Sequence, residues 1–255
     1  MKPSLSLSVD LMFLIMCFST LARGQANLET RATEASRALI EGHIAWKTKL
    51  STPGASIQAK EVTRTQSLVM YNLYVSGLPT NQLYKLMTWP VGNSDPFPMM
   101  QGVRIGKNGI AICAMSSSGQ CGDSSRMDDA IQVVFRRAKG EPFRLALVAG
   151  DHRATVVIVP DPITGEDKGC TLRVERLLPQ FELAYFTGSG FPAHSDVLFD
   201  SQSYDEKHEI RVATDRDGTL RFALMPLVSG KQEGTTTVTG MGMRCAPSVK
   251  FSWGE

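Results

Sequence analysis

The chain has 255 residues, with 27 basic against 25 acidic side chains and a net charge of +2. Both signs are scattered and no basic stripe is interleaved with aromatics, which excludes a phosphate-backbone partner and so predicts no nucleic acid. Beyond the first apolar run, nothing approaches the eighteen or so apolar residues of a transmembrane helix.

That first run extends from Leu11 to Leu21, is preceded by Lys2 and is followed by Gly24-Gln25-Ala26, with small residues two positions apart. It reads as a secretory signal peptide over residues 1–26, cut after Ala26. A run of eleven residues, Ser19 and Thr20 included, is about half of what a membrane-spanning helix needs. Cys17 follows Met16, where a lipid-attachment box takes Gly, Ala or Ser, so no lipid anchor is expected. Cleavage removes Lys2, Arg23 and Asp10 and lowers the net charge from +2 to +1. The expected product is secreted, periplasmic or on the cell surface, with no transmembrane anchor.

Removal of Cys17 leaves Cys113, Cys121, Cys170 and Cys245. An even number in an oxidising compartment predicts two disulfides, for which three connectivities exist. Proximity favours Cys113 with Cys121, closing a Ser- and Gly-rich loop, and leaves Cys170 with Cys245. The C-x-x-C spacing of a zinc site is absent.

After the leader, Leu28, Ala32, Ala35 and Leu39 recur at intervals of three and four, predicting an amphipathic helix from Leu28 to Glu41 that stops at Gly42. Thr48 to Gln66, with Pro53-Gly54, reads as irregular linker. From Leu68 onward short runs of Val, Ile, Leu, Tyr and Phe alternate with Gly, Pro, Asn and Asp, predicting fourteen strands. Strands without intervening helical patterns predict antiparallel sheets packed face to face, about seven strands in each half. The domain reading is therefore a helix and irregular segment over residues 27–66, a first β-sandwich module over 67–162, and a second over 163–255. Asp161 to Gly169, with Pro162 and a cluster of charges, reads as a stiff connector.

The halves echo each other. Tyr71-Asn-Leu-Tyr-Val-Ser-Gly77-Leu-Pro79 matches Phe181 to Gly190-Phe-Pro192, and the Asn108-Gly109 turn between strands matches Asp217-Gly218. A shared period predicts tandem modules of common origin. Gly188-Ser-Gly190-Phe-Pro-Ala-His-Ser-Asp-Val, the Asp217-Gly218 turn and Gly230-Lys-Gln-Glu-Gly234 together resemble the immunoglobulin-like modules of bacterial exported and surface proteins. The resemblance covers roughly residues 179–255 and implies two tandem immunoglobulin-like antiparallel β-sandwich modules behind a short N-terminal helix. It implies fold rather than activity.

Candidate chemistry is sparse. His194-Ser195-Asp196 holds the residue types of an acyl-transfer triad, but neighbours on a strand point to opposite faces, and no G-x-S-x-G elbow is present. Asp151-His152 follows Gly150 as a hairpin turn would. Asp215-Arg-Asp217-Gly218 opens like a calcium loop, although the distal glutamate of an EF-hand is missing, so a hairpin is favoured over calcium. Tyr71, Tyr74, Tyr84, Trp89 and Trp253 are either a glycan platform or sandwich core, with core favoured. No catalytic residue and no cofactor is assigned. The sequence thus predicts an exported non-catalytic protein whose partner is another protein or a cell-surface glycan, acting in binding, adhesion or an accessory role at the envelope. The alternatives are a carbohydrate-binding protein and a secreted hydrolase of unfamiliar type built on His152 or His194.

Overall fold

The computed structural model describes residues 34–113, 130–178, 183–241 and 244–254. The predicted signal peptide, Cys17, Cys121 and the loop Met115 to Gln120 lie outside these residues. Residues 43–255 form one compact unit, and helical residues 34–42 belong to another. No helix among the described residues is long and apolar enough to cross a membrane.

The protein is mainly β, and every strand pair is antiparallel. In its first half the strands are β1 (Ser56–Arg64), β2 (Leu68–Ser76), β3 (Tyr84–Trp89), β4 (Phe97–Ile105), β5 (Ala111–Cys113), β6 (Gln132–Arg136), β7 (Phe143–Ala149) and β8 (His152–Ile158). They form two sheets, in the orders β1-β2-β6 and β5-β4-β3-β7-β8. Alternation on β2 turns Val69, Tyr71, Leu73 and Val75 to one face, where they meet Tyr84, Leu86, Leu145 and Leu147 of the opposite sheet in one apolar core.

The second half contains β9 (Ile163–Asp167), β10 (Cys170–Leu178), β11 (Leu183–Ser189), β12 (Asp196–Ser203), β13 (Glu206–Ala213), β14 (Leu220–Leu224), β15 (Gly234–Gly240) and β16 (Ser248–Trp253). Its sheets run β9-β10-β11-β14 and β13-β12-β15-β16. They enclose a second core built on Leu172, Val174, Phe186, Phe199, Val238 and Phe251.

The two halves follow one path. A hairpin, β1-β2 or β10-β11, crosses to the other sheet for β3-β4 or β12-β13. The chain then returns beside the hairpin's second strand as β6 or β14, and crosses again so that β7 or β15 lies next to β3 or β12. This is the Greek-key path of an immunoglobulin-like sandwich, used twice. In the first half the returning strand is divided: Ile110 bridges to Tyr74 of β2, β5 turns aside to pair with β4, and β6 resumes pairing with β2. The extra length expected between Met115 and Asp129 falls in this interruption, outside the described residues.

Three expectations are corrected. Gly42 does not end the helix, which continues to residue 48. A glycine lowers helix propensity by about 1 kcal/mol, which the packing of Trp46 beyond it offsets. The segment read as linker contains β1, which pairs with β2 along its length and buries Ile57, so the first sandwich begins before residue 67. The segment read as connector contains β9, paired with β10. Its alternation, Ile163 and Gly165 inward with Thr164 and Glu166 outward, is hidden by the charges around it. Gly165 is needed there because a Cβ would lie 1.9 Å from the Ser248 carbonyl oxygen.

Candidate functional site

The residues singled out in the sequence do not converge. Asp215 serves its own turn: Oδ1 accepts from the backbone N–H of Asp217 and of Thr219, each at 2.9 Å, and Oδ2 accepts from the Thr219 hydroxyl. These bonds hold its carboxyl below the usual range. Asp217 points to solvent beside Arg216, so the acidic pair is accounted for by an Asx-type turn. Among the described residues no group of three or more His, Cys, Asp or Glu is placed to hold a metal.

His194 sits at φ 50° in the turn before β12, while the Ser195 hydroxyl donates to the Pro192 carbonyl at 2.7 Å. His152 opens β8 after the turn at Gly150. The aromatic stock is core: Tyr71, Tyr84, Trp89 and Trp253 are all buried, and only Tyr74 is partly open, beneath the Lys60 ammonium. Cys170, the first residue of β10, is bonded to Cys245 between β15 and β16, with Cα atoms 6.1 Å apart. The bridge therefore ties the two sheets of the second sandwich together. Cys113 is also disulfide-bonded, while Cys121 lies outside the described residues.

The densest polar constellation was not singled out in the sequence. It lies where the outer face of the first sandwich's five-stranded sheet meets the outer face of β10 and β11, with helical residues 43–48 between them. On β7 the residues Phe143, Leu145 and Leu147 turn into the core, so Arg144 faces outward, opposite Trp89 of β3. On β10, Leu172 and Val174 turn inward, so Glu175 faces outward opposite Tyr185 of β11. The helix contributes His43 and Lys47, one turn apart on one face, and Trp46, whose indole N–H donates to the Leu145 carbonyl at 3.0 Å.

The contacts form a chain across the molecule. Arg144 Nε donates to His43 Nδ1 at 2.9 Å, and its guanidinium lies 4.5 Å from the Trp89 ring centroid. His43 Nε2 lies 2.9 Å from Glu175 Oε2, a close but poorly aligned pairing in which neither atom has another partner. Lys47 Nζ donates to Glu175 Oε1. The His43 ring meets Tyr185 edge to face at 5.5 Å. His43 and Arg144 are fully buried, and Glu175 is 2 % exposed.

Burial sets the protonation states against these charges. For Glu175, burial pushes the carboxyl up, but the His43 contact and the Lys47 charge outweigh it and hold the pKa at about 2. Arg144 is lowered to about 10 by burial, against the opposing pull of Glu175. Burial also lowers His43; Glu175 raises it, while Arg144 and Lys47 lower it further, and the net direction is downward. The imidazole is accordingly neutral, with Nδ1 as acceptor and the proton on Nε2.

A histidine beside a carboxylate is half of a general-base relay, yet here the imidazole is enclosed and its second nitrogen is occupied by a guanidinium. The arrangement holds charge between two sandwiches rather than presenting it to a substrate. Its sequence signal is modest: Arg144 is a lone charge in the apolar run of β7, and Glu175 sits among Arg173 and Arg176 on β10.

In comparison with known proteins, no family model matches the chain, and no curated protein matches its sequence.

Proposed function

We propose that the chain is an exported, non-catalytic binding protein in which two immunoglobulin-like sandwiches are held in a fixed mutual orientation so that their outer surfaces act as one unit. The observation that supports it is the Arg144–His43–Glu175 chain of contacts. It commits the histidine–carboxylate pair to joining the modules and leaves exposed loops and sheet faces to meet a partner. The signal peptide over residues 1–26 and the surface or periplasmic address belong to this same reading. Its test is binding of the purified full chain to cell-envelope preparations, alongside assays with ester, peptide and glycoside substrates. Saturable binding without turnover is expected; turnover lost in a His152→Ala, His194→Ala double variant would establish the hydrolase reading instead.

A second reading, binding of an acidic glycan, is favoured by a shallow concavity of about 330 Å³ on the outer face of β10, β11 and β14. Arg173, Thr187 and Arg221 stand in direct cross-strand register there, with both arginines exposed. Guanidinium groups flanking a row of hydroxyls suit carboxylated or sulfated sugars. On a glycan array an Arg173→Ala, Arg221→Ala variant should lose acidic glycans while its fold is unchanged; a parent chain that binds neutral glycans alone, or none, ends this reading.

A further inference from the structure

The two sheets of the second sandwich part on one side. β13 and β14 are edge strands of opposite sheets, and between them lies a cavity of about 280 Å³. Its walls are apolar: Ile210 from β13, Leu224 at the end of β14, and Met225, Leu227 and Val228 just beyond it. Its floor is polar. Ser201 and Ser203 share the inner face of β12 with the core residues Val197 and Phe199, and they line the cavity at 4 % and 5 % exposure. Their register partners on β13, His208 and Glu206, are exposed and mark the mouth.

Both floor hydroxyls have a hydrogen bond left to give. Ser203 Oγ accepts from the Trp253 indole N–H at 3.0 Å, which leaves its own O–H free to donate. The Ser201 hydroxyl, more than nine-tenths buried, has no hydrogen-bond partner among the described residues. Buried hydroxyls are ordinarily paired, so a hydrocarbon filling this space would leave the floor unmet. An anion fits no better: the lining carries a carboxylate, Glu206, and neither lysine nor arginine, so a buried anion would lose its water without gaining a counter-charge. The occupant that suits both floor and walls is neutral, an apolar chain ended by a hydrogen-bond acceptor. The volume lies near the lower end of the range for ligand pockets, about 300 Å³, so the ligand is small.

We propose that this cavity binds a small neutral acyl compound, an amide or an ester. Its carbonyl accepts from the Ser201 and Ser203 hydroxyls, and its alkyl chain runs along Ile210, Leu224 and Leu227 toward Met225 at the mouth. The site lies inside the second sandwich and does not depend on what the outer faces of the molecule meet.

The test is nuclear magnetic resonance of the oxidised full chain titrated with butanamide, hexanamide and methyl hexanoate, with the hexanoate ion as the charged control. The chain has three tryptophans, and the Trp253 indole N–H is the reporter because it is bonded to Ser203. Trp46, bonded to the Leu145 carbonyl, and Trp89, bonded to the Asn93 carbonyl, are the internal controls. Expected is a saturable shift of the Trp253 resonance alone with a neutral acyl compound, the tighter of amide and ester naming the ligand's linkage, and binding at least about tenfold weaker for hexanoate. Ser201→Ala replaces a hydroxyl that has no protein partner, so it should keep the parent's urea midpoint while weakening the neutral ligand about three- to tenfold, the worth of one neutral hydrogen bond. The proposal is overturned if no neutral acyl compound shifts Trp253, if hexanoate binds as tightly, or if Ser201→Ala binds as the parent does. Should that variant not fold, nuclear Overhauser contacts between the ligand's methylenes and the Leu227 and Val228 methyl groups of the parent decide: their presence supports the site and their absence overturns it.

Discussion

At Gly77 and Gly190 the absence of a single methyl group lets a module close. Each follows the second strand of its hairpin, β2 or β11, at positive φ, 73° and 82°, where a side chain is strained. A Cβ would stand 2.1 Å from the carbonyl oxygen of Gly54 in one module and of Gly169 in the other. The echo seen in sequence thus has a physical cause, the same turn pressed against the glycine that leads into the hairpin's first strand, β1 or β10. Gly150 is the control, since its φ is 55° but nothing lies within 4 Å of its Cβ direction. Gly150→Ala should cost only the backbone term, about 1 to 2 kcal/mol. Gly77→Ala and Gly190→Ala should each lose more than that in urea denaturation, because the carbonyl must also move. Equal losses at all three sites would show that the close approach contributes nothing.

Among the elements, the strands that carry strong alternation were legible, and β2, β7, β10 and β16 lie within a residue or two of their expected bounds. The two that were missed, β1 and β9, are edge strands of their sheets with polar outer faces, so half of the usual apolar signal is missing. The helix stop at Gly42 failed for the opposite reason: local propensity was read correctly, but docking of Trp46 and the Thr155 hydroxyl bond to its carbonyl override it. The Cys170–Cys245 bridge was expected, and its position between sheets makes its contribution testable. Closing 75 residues of chain restricts the unfolded state by about 4 kcal/mol on the loop-entropy account. A Cys170→Ala, Cys245→Ala variant should lose close to that in urea; a loss under about 1 kcal/mol would mean that native packing, not chain restriction, holds the two sheets together.

For the molecule as a whole, the two sandwiches meet around a buried ion network that no local pattern could reveal. Its members, His43, Arg144 and Glu175, are far apart in sequence, and each looks ordinary within its own run. The network makes stability depend on pH with a definite sign. The folded Glu175 carboxyl titrates at about 2 against an ordinary 4.5, so its contribution is present in full above pH 4.5 and is lost as pH falls toward 2. His43 is also lowered from 6.5, so the unfolded chain takes up its proton first and stability falls as pH drops below that value. Both groups act in the same direction, which places the acid loss below pH 6.5 and leaves neutral pH flat. Glu175→Gln removes the carboxylate that faces Arg144 and Lys47 and should cost about 3 to 5 kcal/mol at pH 7. Because the carboxylate's advantage disappears on protonation, the gap between parent and variant should narrow steadily in urea midpoints measured from pH 4.5 downward. A gap that stays constant across that range would mean that Glu175 acts through its shape and packing, and that the charge network does not set how the two sandwiches are joined.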